Sequence, residues 1–111
     1  MTNKNIGNDP EKQQIIRGML HLAVMTELEK GKRYGAELLI SLSKTPFTSR
    51  VGTLYPLLNR MEKDGLLDSD WLMEPGQTPR RYYRLTKQGQ AKLAEYREFL
   101  TYIQTYLGGK P

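Results

Sequence analysis

The chain has 111 residues, 38% of them hydrophobic and 26% charged, which suits one small domain with a modest core. It has no cysteine, which excludes disulfides and thiolate metal sites, and no uncharged apolar run approaches the roughly 20 residues that span a bilayer. The polar N-terminus lacks the hydrophobic segment of a signal peptide, so we expect a cytoplasmic protein.

The formal net charge of +5 is concentrated in one window of the sequence. Residues 75 to 94 contain five basic residues and no acidic one, whereas the rest of the chain carries twelve of each sign. The five are Arg80, Arg81, Arg84, Lys87 and Lys92. Localised positive charge is typical of polyanion binding, although a solvated basic surface explains it equally well.

The first helix is predicted to follow a disordered tail over residues 1 to 8. Asp9 before Pro10 is a favourable helix start, and the helix should run to about Lys30, with Gly31 as its stop. Apolar residues occupy most of its circumference, more than one small domain can cover. A partner subunit is therefore expected to cover the remainder.

Two further helices are predicted before the charged window. The second spans residues 34 to 44, and the third begins after a cap at Thr48 or Ser49 and ends at Asp64. The second helix is expected to turn three leucines inward: Leu38, Leu39 and Leu42.

The third helix contains Pro56, although a proline in a helix interior normally costs about 3 kcal/mol. At 100° per residue, Pro56 and Gly52 fall on the polar side and point away from the core. The opposite, apolar side is formed by Val51, Leu54, Leu57, Leu58 and Met61.

The polar side of the third helix suits DNA, because hydroxyl, amide and guanidinium groups bind bases and phosphates. The alternative is the solvated face of an ordinary amphipathic helix. We expect this helix to enter the major groove, where a slim face near its N-terminus is useful. The predicted contacts are Ser49, Thr53 and Asn59 to bases, and Arg50, Arg60 and Lys63 to phosphates.

A β-hairpin and a long helix complete the chain. Residues 66 to 73 and 80 to 86 are strand-like, and the turn formers between them predict an exposed loop. Trp71, Tyr83 and Leu85 are expected in the core. Thr86 can cap the last helix, which should run from about residue 87 to 107.

The last helix carries an apolar heptad seam too broad for one small domain to bury. We expect it to pack with the first helix of a second subunit, and packing within its own subunit is the alternative. The predicted dimerisation residues are Ile16, Leu20, Leu93, Tyr96, Leu100, Ile103 and Leu107.

The order helix, helix, helix, hairpin, helix predicts a mostly α protein with a small β-hairpin. This is the order of a winged helix-turn-helix, a DNA-binding domain in which the hairpin tip is the wing. We assign this domain to residues 9 to 86, a C-terminal dimerisation helix to residues 87 to 107 and a tail to residues 108 to 111.

Four stretches of the chain resemble the PadR-type transcriptional regulators: RGMLHLAVMTEL, YGAELL, GTLYPLLNRMEKDGLL and RRYYRLTKQG, which together span about residues 17 to 90. The resemblance implies a homodimeric repressor that binds an inverted repeat in double-stranded promoter DNA. It also implies that Tyr55 contacts the DNA backbone and that Arg80 and Arg81 serve the wing; packing and solvation are the alternatives. A small hydrophobic or phenolic ligand at the dimer interface is a further implication.

Two other classes of protein remain as alternatives. One histidine, no cysteine and no glycine-rich phosphate loop argue against an enzyme, and no metal or other cofactor is expected. The stronger alternative is a winged-helix adaptor that binds proteins and has no sequence-specific DNA affinity. Changing Arg80 and Arg81 to alanine distinguishes the two, because only a DNA-binding protein would lose DNA affinity.

Overall fold

The computed structural model describes residues 7–109, so most of the predicted tail over residues 1 to 8 and the last two residues lie outside the described range. Within it, no helix is long and apolar enough to cross a membrane. The elements are α1 (Pro10–Gly18), α2 (Leu20–Glu29), β1 (Arg33–Tyr34), α3 (Gly35–Ser43), α4 (Val51–Lys63), β2 (Leu67–Leu72), β3 (Arg80–Leu85) and α5 (Lys87–Tyr106).

The start of α1 is confirmed, because the Asp9 carboxylate accepts hydrogen bonds from two backbone amides of the first turn, at 3.0 and 3.3 Å. The prediction of one helix up to Lys30 is wrong. Met19, with φ −108° and ψ 4°, separates α1 from α2. Gly18 precedes the break, and glycine is a poor helix former because it loses the most backbone entropy when ordered.

The hairpin is confirmed, and it belongs to a three-stranded antiparallel sheet with the order β1-β3-β2. In β2 and β3, Trp71 pairs with Arg81 and Leu67 with Leu85. The additional strand β1 pairs Arg33 with Tyr83. Two residues are too few to show the alternating pattern of a strand, so the sequence did not indicate β1.

The start of α4 differs from the prediction, because neither Thr48 nor Ser49 caps it. The N-cap is Arg50, which has an extended backbone and forms no side-chain capping bond. The Thr48 hydroxyl instead donates to the backbone carbonyls of Ser43, at the end of α3, and of Thr45. The end is as expected: Asp64 is the C-cap, and Gly65 adopts φ +80°.

The core lies between α2, α3, α4, the sheet and the beginning of α5. Tyr83 is buried as predicted, with Leu85 partly buried beside it. Two predicted core residues are not in the core, since Val51 is 58% exposed and Trp71 61% exposed. Val51 is the first residue of α4 and projects beyond the core, and Trp71 lies where the hairpin extends into solvent. The largest fully buried side chains are Tyr83, Met25, Leu38, Leu42, Leu54, Leu58, Met61, Leu93 and Val24.

The junction between the hairpin and α5 is closely packed. The Thr86 hydroxyl accepts a hydrogen bond from the Gly89 amide at 2.9 Å, which confirms the predicted cap, and donates to the Gly65 carbonyl at 2.7 Å. A Cβ atom on Gly89 would lie 2.8 Å from the Leu85 side chain and would overlap the Leu66 carbonyl. A glycine is therefore required at this point.

Candidate nucleic-acid interface

The helix α4 has two opposite faces. Leu54, Leu57, Leu58 and Met61 face the core. The other side is exposed, and Pro56 lies on it as predicted. The remaining exposed residues of that side are Gly52, Thr53, Asn59, Arg60 and Lys63.

The residues at the start of α4 differ in accessibility. Arg50 is exposed, whereas Ser49 is half-buried. The Ser49 hydroxyl oxygen is buried and has no hydrogen-bond partner within residues 7–109. Of the seven residues predicted to contact DNA from this segment, Ser49 and Tyr55 are thus the two that are not exposed.

Tyr55 is half-buried and packs against the first residue of α3. A Cβ atom on Gly35 would lie 2.5 Å from carbon atoms of the Tyr55 ring. The alternative role for Tyr55, packing against the second predicted helix, is therefore present in the structure. Tyr55 also lines an open cleft with Trp71 and Arg80, between the wing and the helices.

The two wing arginines occupy different environments. Arg80 is exposed, and its guanidinium lies 4.7 Å from the ring centre of Tyr34. Arg81 is partly buried and donates to the Glu62 carboxylate of α4 at 2.8 Å and to the Ser69 hydroxyl at 3.0 Å. Arg81 therefore joins the hairpin to α4, whereas Arg80 faces solvent.

The basic window is less positive in three dimensions than in sequence. Arg84 donates to Asp70 at 2.6 Å and to Asp68 at 3.0 Å, and these bonds raise the pKa of Arg84. Arg81 is paired as described above. Lys92 pairs with Glu95 at 3.0 Å, which raises the pKa of Lys92. The carboxylates belong to β2, to α4 and to a later residue of α5, all of them outside residues 75 to 94.

The predicted dimerisation residues fall into three groups. Leu20 is 7% exposed and Leu93 1% exposed, so both belong to the core of their own subunit. Leu107 is 75% exposed. The half-buried members are Ile16, Tyr96, Leu100 and Ile103.

Aromatic residues extend the exposed apolar surface of α5. They are Phe99, Tyr102 and Tyr106, and the Phe99 and Tyr102 rings stack with centroids 6.5 Å apart. Next to this surface, α2, α3 and α5 border a groove of about 260 Å³ with a mainly apolar lining that includes Leu22, Phe47 and Leu100. We define the exposed apolar face of α5 as the exposed side chains of Phe99, Tyr102, Tyr106 and Leu107.

The single histidine connects three helices. His21 in α2 is half-buried, and its ring meets Tyr96 of α5 edge-on with centroids 5.7 Å apart. Burial lowers the pKa of His21, and the positive charge of Arg60 in α4 lowers it further. Within residues 7–109, no cluster of three or more histidine or carboxylate side chains could hold a metal ion.

The family profile described as "Transcriptional regulator PadR-like family" matches residues 22–95. A relative named transcriptional regulator Rv3488, from Mycobacterium tuberculosis (strain ATCC 25618 / H37Rv), is 37% identical over 95 residues, which cover 85% of this chain and 88% of the relative.

Solved structures give the same result. A PadR family transcriptional regulator from Eggerthella lenta DSM 2243 superimposes with a TM-score of 0.80 and 34% identity, covering 86% of this chain and 84% of that chain. A PadR-like transcriptional regulator from Bacillus cereus strain ATCC 14579 superimposes with a TM-score of 0.75 and 29% identity, covering 86% of this chain and 93% of that chain. The chain therefore belongs to the PadR-like family of transcriptional regulators, which regulate through DNA binding and are not enzymes.

Proposed function

We propose that the protein is a dimeric repressor that binds an inverted repeat in a promoter through α4 and the wing. The observation that carries this proposal is the exposed polar side of α4, opposite the side that holds the helix on the core. A regulator of this kind works in the cytoplasm, where the promoter is.

The helix α4 is proposed to lie in the major groove. A helix with its side chains is about 10–12 Å across, and the groove is about 12 Å wide, so bulk on the groove-facing side has to be small. Gly52 and Pro56 meet that condition. Thr53 and Asn59 then contact base edges, and the Asn59 amide can pair with adenine through two hydrogen bonds. Ser49 contributes less, because its hydroxyl is buried.

Phosphate contacts hold α4 in register. Arg50, Arg60 and Lys63 are exposed and supply positive charge beside the base-contacting residues. Arg80 contacts the adjacent backbone or minor groove from the wing. Arg81 acts differently, since its bond to Glu62 fixes the angle of the wing relative to α4.

Dimerisation is proposed to use the exposed apolar face of α5. An apolar stripe of this size on a small domain calls for a partner, and a second copy would place two α4 helices on one side of the DNA. Residues 9 to 86 thus form the DNA-binding unit, and residues 87 to 107 form the dimerisation helix.

A small hydrophobic or aromatic effector is proposed to release the DNA. The groove of about 260 Å³ that Leu22, Phe47 and Leu100 help to line is mainly apolar and adjoins the dimerisation helix. An occupant there would change the angle between the two subunits and hence the distance between their α4 helices.

Fluorescence anisotropy with DNA from the promoter of the protein's own gene and with scrambled DNA, over a salt series, tests the proposed function. We expect the promoter to bind at least about a thousandfold more tightly, with a slope near −0.9 per phosphate neutralised. A folded dimer that binds both DNAs weakly and equally would contradict autoregulation. Absence of binding to any promoter fragment would favour the protein adaptor.

A further inference from the structure

Two adjacent clefts run along the flank of α4 that faces α1 and α2. Their volumes are about 270 and 240 Å³, and both are lined by Arg17, Leu20 and Thr53. The first also reaches Arg50, and the second reaches Arg60. Together they form one basic groove, which brings Arg17 of α1 beside the helix that is proposed to contact DNA.

The groove is lined by cations without carboxylate partners. Arg17, Arg50 and Arg60 form no ion pair within residues 7–109, and no aspartate or glutamate lines either cleft. By contrast, Arg84 and Arg97 each hold a carboxylate at 3.0 Å or less. An unpaired group of arginines keeps its full charge available for an anion from solution.

The basic groove and the wing lie on opposite flanks of α4. Glu62, which binds the wing, follows Arg60 by two residues, and Tyr55, which borders the wing cleft, follows Thr53 by two. At 100° per residue each pair is separated by roughly 200° around the helix. A helix in the major groove has one DNA strand on each flank, so the wing can serve only one of them.

We propose that the basic groove holds backbone phosphates of the DNA strand on the flank of α4 opposite the wing, and that Arg17 is a phosphate contact. The inference rests on the proposed function, because it requires α4 to occupy the major groove. Arg17 lies in α1, outside the helix-turn-helix. Its guanidinium adds a second positive charge to the cleft that Arg60 also lines. The two arginines bind adjacent phosphates without contacting bases.

Anisotropy titrations of Arg17→Ala, Arg17→Lys and Lys92→Ala against promoter and scrambled DNA test this assignment. Arg17→Ala should weaken binding to both DNAs by the same factor, roughly three- to tenfold, and make the salt slope shallower by about 0.9. Arg17→Lys should keep the slope. Lys92→Ala removes the same charge from a lysine that is paired with Glu95, and it should change affinity less than about twofold.

A second measurement uses wild-type protein with single phosphates of the promoter fragment replaced by neutral methylphosphonates. At one position on the strand away from the wing, the methylphosphonate should weaken DNA binding by the wild-type protein. The same methylphosphonate should leave the DNA affinity of Arg17→Ala unchanged. Wild-type DNA binding that Arg17→Ala leaves intact would overturn this inference alone. No DNA binding by the wild-type protein would overturn the proposed function as well.

Inorganic phosphate presents the same oxygen ligands to the basic groove as the phosphates of the DNA backbone. The groove would belong to a free anion if inorganic phosphate stabilised the wild-type protein but not Arg17→Ala, and if the two proteins bound DNA equally well. That result would overturn the inference. If DNA is the ligand, inorganic phosphate at millimolar concentration should leave the thermal midpoint of both proteins within error of the buffer control.

Discussion

Gly35 is placed where no larger residue fits, because the Tyr55 ring packs directly on its α-carbon. We predict that Gly35→Ala lowers the free energy of unfolding by about 1–3 kcal/mol, the usual cost of overpacking a tight contact. Urea denaturation followed by circular dichroism measures this. Adding Tyr55→Leu to the variant should restore part of the loss, since the ring is what the new methyl group meets.

Gly52 is the matched control, since a Cβ atom there would meet nothing within 4 Å. Gly52→Ala should raise the free energy of unfolding by up to about 1 kcal/mol, because alanine is the better helix former. Equal effects of the two substitutions would show that the Gly35–Tyr55 contact is not tight.

His21 gives stability a dependence on pH. Its pKa in the folded state lies below the ordinary value of 6.5, so the unfolded chain takes up the proton more readily. The free energy of unfolding should therefore fall as the pH is lowered through 6.5 towards the folded-state pKa. Urea unfolding between pH 5 and 8 measures the trend, and His21→Gln should remove this component. An unchanged pH profile in His21→Gln would contradict it.

Two of the predicted helix caps are present, whereas long-range partners were not predictable from sequence. Asp9 and Thr86 cap helices as expected, because a cap bonds to amides two or three residues away. Arg81 was predicted to contact DNA, yet its bond to Glu62 spans 19 residues of sequence. No local pattern indicates a pairing at that separation.

Pro56 lies in the interior of α4 and offers no amide hydrogen to the carbonyl of Gly52. Pro56→Ala should therefore raise the free energy of unfolding, by up to about 3 kcal/mol. Pro56→Leu should also restore the amide, but it adds bulk to the side proposed to enter the major groove. We expect Pro56→Leu alone to weaken promoter binding, by about tenfold or more, in anisotropy titrations. Wild-type affinity in Pro56→Leu would show that this side does not meet DNA.

Most elements could be predicted from helical and alternating periodicity, and the errors occur where that signal is short or interrupted. The break at Met19 follows a single glycine within a pattern that stays apolar on both sides. The strand β1 has two residues, and its existence depends on pairing with β3. The predicted cap at Thr48 or Ser49 is absent, since the Thr48 hydroxyl donates back to carbonyls of the preceding residues and the Ser49 hydroxyl is buried without a partner among the described residues.

At the scale of the whole molecule, the exposed apolar face of α5 is the feature that one subunit leaves uncovered. We predict that combining Tyr102→Asp with Leu107→Asp weakens the dimer at least about tenfold, because a charge in an apolar interface is costly to desolvate. Light scattering after size-exclusion chromatography measures the mass. Both residues are exposed in the subunit, so its helical content should not change.

Thr105→Asp is the control for the dimer, since Thr105 lies on the polar side of the same helix. That variant should keep the mass of a dimer. A dimer that survives the double substitution would show that the subunits associate through another surface.

The distribution of positive charge in the folded molecule differs from its distribution along the sequence. The window over residues 75 to 94 is purely basic along the chain, but folding brings carboxylates to Arg81 and Arg84. Within residues 7–109, arginines without an ion pair lie along α4 and at the end of α1, and Arg80 is one that remains in the window. Net charge per window ignores which elements become neighbours, so it located the excess charge without separating paired from unpaired arginines.

Hydroxyl-radical footprinting of the protein on DNA from its own promoter tests the central claim most directly. A dimer with one α4 helix in each half-site should protect two patches whose centres are about 10 to 10.5 base pairs apart, or a multiple of that, related by two-fold symmetry. A single patch, or protection without regular spacing at concentrations that saturate binding, would contradict the account of a dimer on an inverted repeat.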